Sequence, residues 1–391
     1  MGLASLVFST IILGVVIFTV AVLIQLRRKY MFTWLSAWIR GDWREQSSKP
    51  IHVIFCFADH FEPQWRKPER SVEDARVDRW AKDYPTLARK HLDSDGRHPV
   101  HTFFYPEEEY REEHLDKLQG ICEQGLGEIE IHLHHDHDTS AGFMHKLKSF
   151  VDILHNKHDA LPLCPQTQRP LFAFIHGNFA LDNAHEDGSF CGVNDELIIL
   201  NQAGCYADFT LPSAPCSTQT KKINSIYYAK DNPTAPKSHD DGQDVRVGGK
   251  PWGDLMIIQG PLALNWKQRK WGVLPKIESC DIRKIYPPTR DRVDLWVDTG
   301  VHVQGKPDWV FVKVHTHGAQ DDDMDTLLGN PMDEMFNYLE TKYNDGENYN
   351  LHYVSSREMY NMTKAAEAGE QGLPGDYRDY ILPPPTNLKL D

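Results

Sequence analysis

The chain has 391 residues, enough to bury a large core in one α/β domain or in two smaller ones. Its 42 Lys and Arg stand against 56 Asp and Glu, a net charge of −14, and no basic block interleaved with aromatic residues occurs, so nucleic acid is not an expected partner. Twenty His residues are many for this length, and they cluster.

Residues 3–24 carry no charge and only Ser and Thr as polar side chains. At about 1.5 Å per residue, such a helix crosses a hydrocarbon core of about 30 Å. A cleaved signal peptide usually has basic residues before a shorter apolar run. Here the basic residues follow, so residues 1–26 are expected to be a retained anchor. Arg27, Arg28, Lys29, Arg40 and Arg44 all lie after the span, and the positive-inside rule then predicts a single-pass protein with its body on the cytoplasmic side. Seven Cys, an odd number without framework spacing, suit a reducing compartment. In the juxtamembrane segment 27–49, Met31, Leu35, Trp38 and Ile39 share a helical face, with Trp34 and Trp43 near it. This predicts an interfacial helix lying on the membrane; a linker helix packed on the body is the competing reading.

The soluble body is expected from residue 50. Residues 51–58 are almost continuously apolar, as in a strand buried on both faces of a parallel sheet, and they end in Asp59-His60-Phe61-Glu62. Ser71 with Asp74 resembles a capping box, and Val77, Trp80, Tyr84, Leu87 and Ala88 follow at helical spacing, with Pro85 as a possible kink. Residues 99–105 predict a strand, and the acidic run 107–113 opens a helix that stops near Gly125. Met144, Leu147, Phe150, Val151 and Leu154 mark an amphipathic helix. Residues 171–175 form another apolar strand, closing in His176-Gly177-Asn178. A helix over 194–200 ends at Gly204 and is followed by a strand over 206–211. Residues 230–254, rich in Asp, Pro, Gly and Lys, predict a long surface loop or hairpin. Strands are expected at 255–262, 293–297 and 309–314, the last running into His315-Thr316-His317. A helix starts at Asn330-Pro331, a strand covers 351–354, and Ser355 with Glu358 caps a final helix. The tail from 366 to 391, with three successive prolines, is expected to be irregular.

The stretch Glu128 to Asp138 carries the densest chemistry. Ile129 and Ile131 alternate with Glu128, Glu130, His132 and His134, the period of a strand with one buried face. It breaks into His135, Asp136, His137 and Asp138, all able to bind a metal. Strands alternating with helices, each strand ending in polar groups, predict a parallel α/β barrel or a doubly wound sheet. In a barrel the ends at Asp59-His60, His134, His176-Asn178, Asp208 and His315-His317 would converge on one face.

In this order the motifs resemble those of the polysaccharide deacetylase family (NodB-homology, carbohydrate esterase family 4), over about residues 50–365. Phe57-Ala-Asp-His60 resembles the strand that ends in paired aspartates. Glu130-Ile-His-Leu-His134 with Asp138 is similar to the second motif, and so is the pair His132 and Asp136. Phe174-Ile-His-Gly-Asn178 resembles the groove loop, and Val312-Lys-Val-His-Thr-His317 the late strand bearing a catalytic His. The resemblance implies a distorted (β/α)7 barrel and a metal-dependent hydrolase, with zinc the favoured ion, that removes an N- or O-acyl group from a saccharide. It implies His60, His134 and Asp138 as ligands, with His132 as a substitute ligand or behind them. Asp59 would be general base, or a ligand with Glu62 as base. His317, or else His315, would be general acid, and His176, Asn178 and Glu62 would contact substrate.

The anchor adds the bilayer as a partner and points to a lipid-linked saccharide or glycolipid; a periplasmic body would instead meet exported polysaccharide. A non-catalytic saccharide-binding or scaffold module, and a metal-dependent glycosidase, are the rival readings.

Overall fold

A computed structural model describes residues 3–41, 45, 47 and 50–386; Trp43 and Arg44 lie outside the described residues. Helix α1 (Leu3–Arg28) is long and apolar enough to cross a membrane, and from Val7 onward its span is not buried against the body. Helix α2 (Met31–Arg40) follows after a left-handed Tyr30. Trp34 is fully buried in a small cluster with Ala214, Ile223, Leu262 and Leu264, and Leu35 and Trp38 pack against it. This packing on the body is what the linker-helix reading expects of Met31, Trp34, Leu35 and Trp38, while Ile39 stays exposed.

The body is mixed α/β. In chain order it contains β1 (Ile51–His60), α3 (Arg70–Ala88), β2 (His101–Pro106), α4 (Glu112–Cys122), β3 (Gly127–Leu133), α5 (Ser140–Asn156), β4 (Phe172–His176), α6 (Glu196–Ala203) and β5 (Cys205–Asp208). There follow β6 (Ile226–Ala229), β7 (Gln243–Asp244), β8 (Leu255–Ile258), β9 (Ala263–Lys270), β10 (Leu274–Glu278), β11 (Asp281–Ile282), α7 (Arg290–Thr299), β12 (Trp309–Thr316), α8 (Asp321–Leu327), α9 (Asn330–Lys342), β13 (Tyr349–Val354) and α10 (Ser356–Ala368). The strands form a large, mostly parallel sheet of order β11-β12-β1-β2-β3-β4-β5-β8-β6-β7, and β9 and β10 pair separately. Strand β1 is central: β12 runs along one edge, while β13 and then β2 share the other.

Alternation along the strands sorts the side chains onto two faces. Phe55 and Phe57 of β1, Ile129, Ile131 and Leu133 of β3, and Val310, Val312 and Val314 of β12 pack into the main core with the helices. Ile54, Cys56 and Ala58 of β1 pack on the other face with Ile175 of β4, Ile258 of β8, Phe311 of β12 and Met359 and Met362 of α10. Glu128 and Glu130 of β3 also point there and are buried. That changes the one-face reading of this strand. Its polar side is an enclosed interior, where Tyr206 Oη donates to Glu130 and Arg357 pairs with Glu128.

Several boundaries differ from the sequence reading. Residues 293–297 lie in helix α7, because Val293, Trp296 and Val297 are buried at helical spacing. Ser71 does not cap α3, whose N-cap is Glu69, and Pro85 stays inside that helix. The stretch 230–254 contains a short 3₁₀ turn and β7, which pairs with β6. Ser355 and Glu358 do form a capping box on α10.

Candidate metal centre

Three strands deliver imidazoles to one spot beyond their C-terminal ends. On β1, His60 shares the parity of Ala58 and Cys56 and so faces the interior. On β3 the same rule places His132, and His134 follows just past the strand. On β12 the interior series Lys313 and His315 leads to His317, beyond the last strand residue. The His60 ring lies 4.8 Å from that of His132 and 4.7 Å from that of His317, and the His132 and His134 rings are 4.5 Å apart.

Glu62 is the buried carboxylate among them. Its Oε1 lies 3.5 Å from His132 Nε2 and 3.1 Å from His134 Nε2, and its Oε2 lies 3.2 Å from His317 Nδ1. Burial opposes its charge, yet the His132, His134 and His317 imidazoles around it outweigh that and hold the carboxyl well below the usual range. Burial, then the nearby His317 and His132, keep the His60 imidazole well below its ordinary pKa, hence neutral. His134 is held oppositely. Burial disfavours its charge, but the hydrogen bonds it donates to Glu108 and Glu62 lift it to about 10.

Ligand atoms of Glu62, His132 and His134 all lie within 4.8 Å of one another. Each imidazole is oriented from behind: His132 Nδ1 donates to Ile175 O at 2.8 Å, and His134 Nδ1 lies 2.5 Å from Glu108 Oε1. Such outer hydrogen bonds aim the second ring nitrogen at a metal. His132 Nε2, His60 Nε2 and His317 Nε2 are buried without a hydrogen-bond partner. Buried bare nitrogens around an ionised carboxylate are costly unless a cation is shared. Two imidazoles and one carboxylate with room for further ligands form a donor set that fits a divalent ion.

The predicted residues separate into two places. His60, His132, His134, His317 and Glu62 come together. Asp59 does not join them: it shares the parity of Phe57, faces the helices and is fully buried. Its Oδ1 accepts from Thr316 Oγ1 at 2.7 Å and from the Gly318 amide at 2.6 Å, and its Oδ2 lies 2.8 Å from His101 Nε2. That carboxylate is committed to joining β1, β2 and the loop after β12, so neither the base nor the ligand role fits it. Asp138 is also elsewhere, 2.7 Å from Lys146 Nζ and 3.4 Å from His135 Nδ1. Asp136 is exposed and accepts the Phe190 amide at 2.7 Å. Both registers considered from spacing are therefore replaced by His132 and His134 together. His176 points to the helix side, toward Glu196, and does not join the Glu62 cluster. Asn178 is exposed. Glu62 moves from substrate contact to the centre of the cluster. His315 is buried, 3.7 Å from Asp281. Asp208 is buried at the end of β5 and bonded to Thr210.

Glu108 was hidden in the acidic run read as a helix start; only its place opposite the β3 end distinguishes it. Gly177 was also missed. A Cβ there would fall 2.6 Å from His134 Cγ, so only glycine lets the β4 loop lie under that ring. Gly177→Ala is expected to weaken metal binding by about 10–100-fold, as loss of an orienting contact does. It should cost about 1–3 kcal/mol from overpacking; metal titration and thermal unfolding read the two effects.

A cavity of about 730 Å³ opens beside the cluster. Val22, Leu26 and Met31 line part of its wall, and His315 and Phe179 another part. The Phe179 ring stands 5.2 Å from His60 and 5.7 Å from His315, at the boundary between cavity and cluster. Lys29 and Lys276 add positive charge to its wall, where Arg283 is paired with Asp281.

Comparison with protein-family models gives no match, and neither does comparison with curated protein sequences.

Proposed function

We propose that the protein is a membrane-anchored, metal-dependent hydrolase that removes an N- or O-acyl group from a lipid-linked saccharide or glycolipid. One observation carries the reading: Glu62, His132 and His134 are gathered at the C-terminal ends of parallel strands, with the partnerless Nε2 of His317 beside them. The fold reading is a distorted (β/α)7 barrel. It is supported by the interior cluster shared by β1, β4, β8 and β12. It is supported too by Gly260 after β8, which lies so close to β12 that an added Cβ would strike Lys313 O.

Glu62, His132 and His134 would hold the ion, most reasonably zinc given two imidazoles and a carboxylate. The ion would supply a Lewis acid that polarises the acyl carbonyl and acidifies the attacking water. His317 is oriented by its Nδ1 contact to Glu62, which leaves Nε2 free to take a proton from water and return it to the leaving nitrogen or oxygen. Glu108 fixes the ring of His134.

The substrate class is read from the cavity. Its apolar wall at Val22 and Leu26 suits a lipid chain, and Lys29 and Lys276 suit an anionic headgroup linkage. Trp266, Trp271, Val273 and Ile285 are exposed on the β9–β10 hairpin and after β11, as expected of residues dipping into a bilayer surface. The basic residues after α1 favour a cytoplasmic body.

Product analysis tests the activity. The full-length protein, incubated with an acylated lipid-linked saccharide, should release one carboxylic acid per amine or hydroxyl unmasked. New reducing ends without acid would make it a glycosidase, and binding without turnover would make it a saccharide-binding module.

A further inference from the structure

A second donor group lies on the helix side of the sheet, apart from the Glu62 cluster. His135, His176, Cys191 and Glu196 are all buried, and one ligand atom from each lies within 4.8 Å of every other. His135, in the turn after β3, stacks on Phe143 of α5 with ring centres 4.6 Å apart. His176 ends β4, Cys191 precedes α6, and Glu196 opens that helix. Glu196 Oε1 lies 3.2 Å from His135 Nε2 and 3.3 Å from His176 Nε2, and Cys191 Sγ lies 3.3 Å from Glu196 Oε2.

The hydrogen bonding of this group does not close by itself. His176 Nδ1 lies 2.6 Å from Gly177 O, and a carbonyl oxygen only accepts, so the ring proton belongs on Nδ1. Nε2 is then a bare lone pair aimed at a carboxylate oxygen that also has only lone pairs. Both His176 Nε2 and His135 Nδ1 lack a hydrogen-bond partner. Opposed lone pairs among buried groups call for a cation between them.

The surroundings are those of ligands aimed from outside. Asp138 Oδ2 lies 3.4 Å behind His135 Nδ1, Gly177 O stands behind His176, and the Val193 amide donates to Cys191 Sγ at 3.4 Å. We propose that His135, His176, Cys191 and Glu196 bind a structural zinc ion, separate from the hydrolytic centre. One thiolate, two imidazoles and one carboxylate supply four protein ligands, which suits zinc; magnesium and calcium favour all-oxygen sites. Binding replaces the Cys191 thiol proton, which is released to solvent.

The ion ties three loops together. The Asp138 amide donates to Cys191 O at 2.9 Å, so the β3–α5 turn already rests on the Cys191 segment. His176 is followed by the Gly177 that supports the His134 ring. The structural ion thus braces the β4 loop under the hydrolytic site.

The test uses the full-length protein in detergent, loaded with zinc or cobalt(II). Wild type should give a thiolate-to-cobalt charge-transfer band, and its zinc form a sulfur scatterer at about 2.3 Å in X-ray absorption. Because Glu62, His132 and His134 contain no sulfur, neither signal can come from that cluster. Glu62→Gln should keep them, whereas Cys191→Ser should lose them together with one metal equivalent. A metal-loaded wild type with no sulfur scatterer, or Cys191→Ser with unchanged spectrum and metal content, overturns the proposal. Should Cys191→Ser fail to fold, the wild-type absorption spectrum decides alone. An intact sulfur signal in a protein without hydrolysis would remove the enzyme reading and leave this site standing.

Discussion

Glu62→Gln is expected to abolish acyl hydrolysis while leaving the fold intact. The amide keeps the shape of the carboxylate but loses the charge that faces His132, His134 and His317. A neutral side chain no longer offsets the ion's charge, and the tautomer of His317 loses its fixed acceptor. Loss of proton transfer alone usually costs about 10²–10⁴ in rate, and the weakened ion adds to it. Turnover with metal titrated to saturation separates the two contributions. Retained activity in Glu62→Gln would place the chemistry elsewhere.

The second large effect falls on stability. Arg357 of α10 is fully buried, with Nη2 2.8 Å from Glu128 Oε1 and Nη1 2.6 Å from Asp379 Oδ1 and 2.8 Å from Leu382 O. It therefore clamps the C-terminal segment to the base of β3. Arg357→Ala leaves the Glu128 carboxylate buried and unpaired, and removing one partner of such a pair costs about 3–5 kcal/mol. The double substitution Glu128→Leu with Arg357→Met should recover much of that loss, since two apolar side chains leave no stranded charge. Denaturant unfolding of wild type and the two variants checks the order. Equal stability of Arg357→Ala and wild type would refute the clamp.

Strand parity is the part of this site that the sequence carries best. His60, His132 and His134 occupy positions set by a period of two from Ala58 and Glu130, and His317 continues the series from Lys313. The same rule, pressed further, excludes Asp59, which alternates with Ala58 and His60 and so belongs with Phe57 among the helices. The four-residue interval from His134 to Asp138 misled because β3 ends at Leu133 and the chain turns, carrying Asp138 to Lys146. His135 was legible as a possible ligand and His176 only as a substrate contact, and their partners Cys191 and Glu196 meet them through the fold, with α6 packed against α5. Trp34 shows the same limit: its amphipathic helix reads equally well against lipid or protein, and only the apolar seat formed by Leu262 and Leu264 decides.

Anomalous scattering at the zinc edge from crystals of the zinc-loaded, full-length protein locates the ion. A peak is expected about 2.0–2.2 Å from a Glu62 carboxylate oxygen, His132 Nε2 and His134 Nε2. Zinc-loaded crystals with no peak there, and with Glu62 still hydrogen-bonded to His134, would contradict the metal centre.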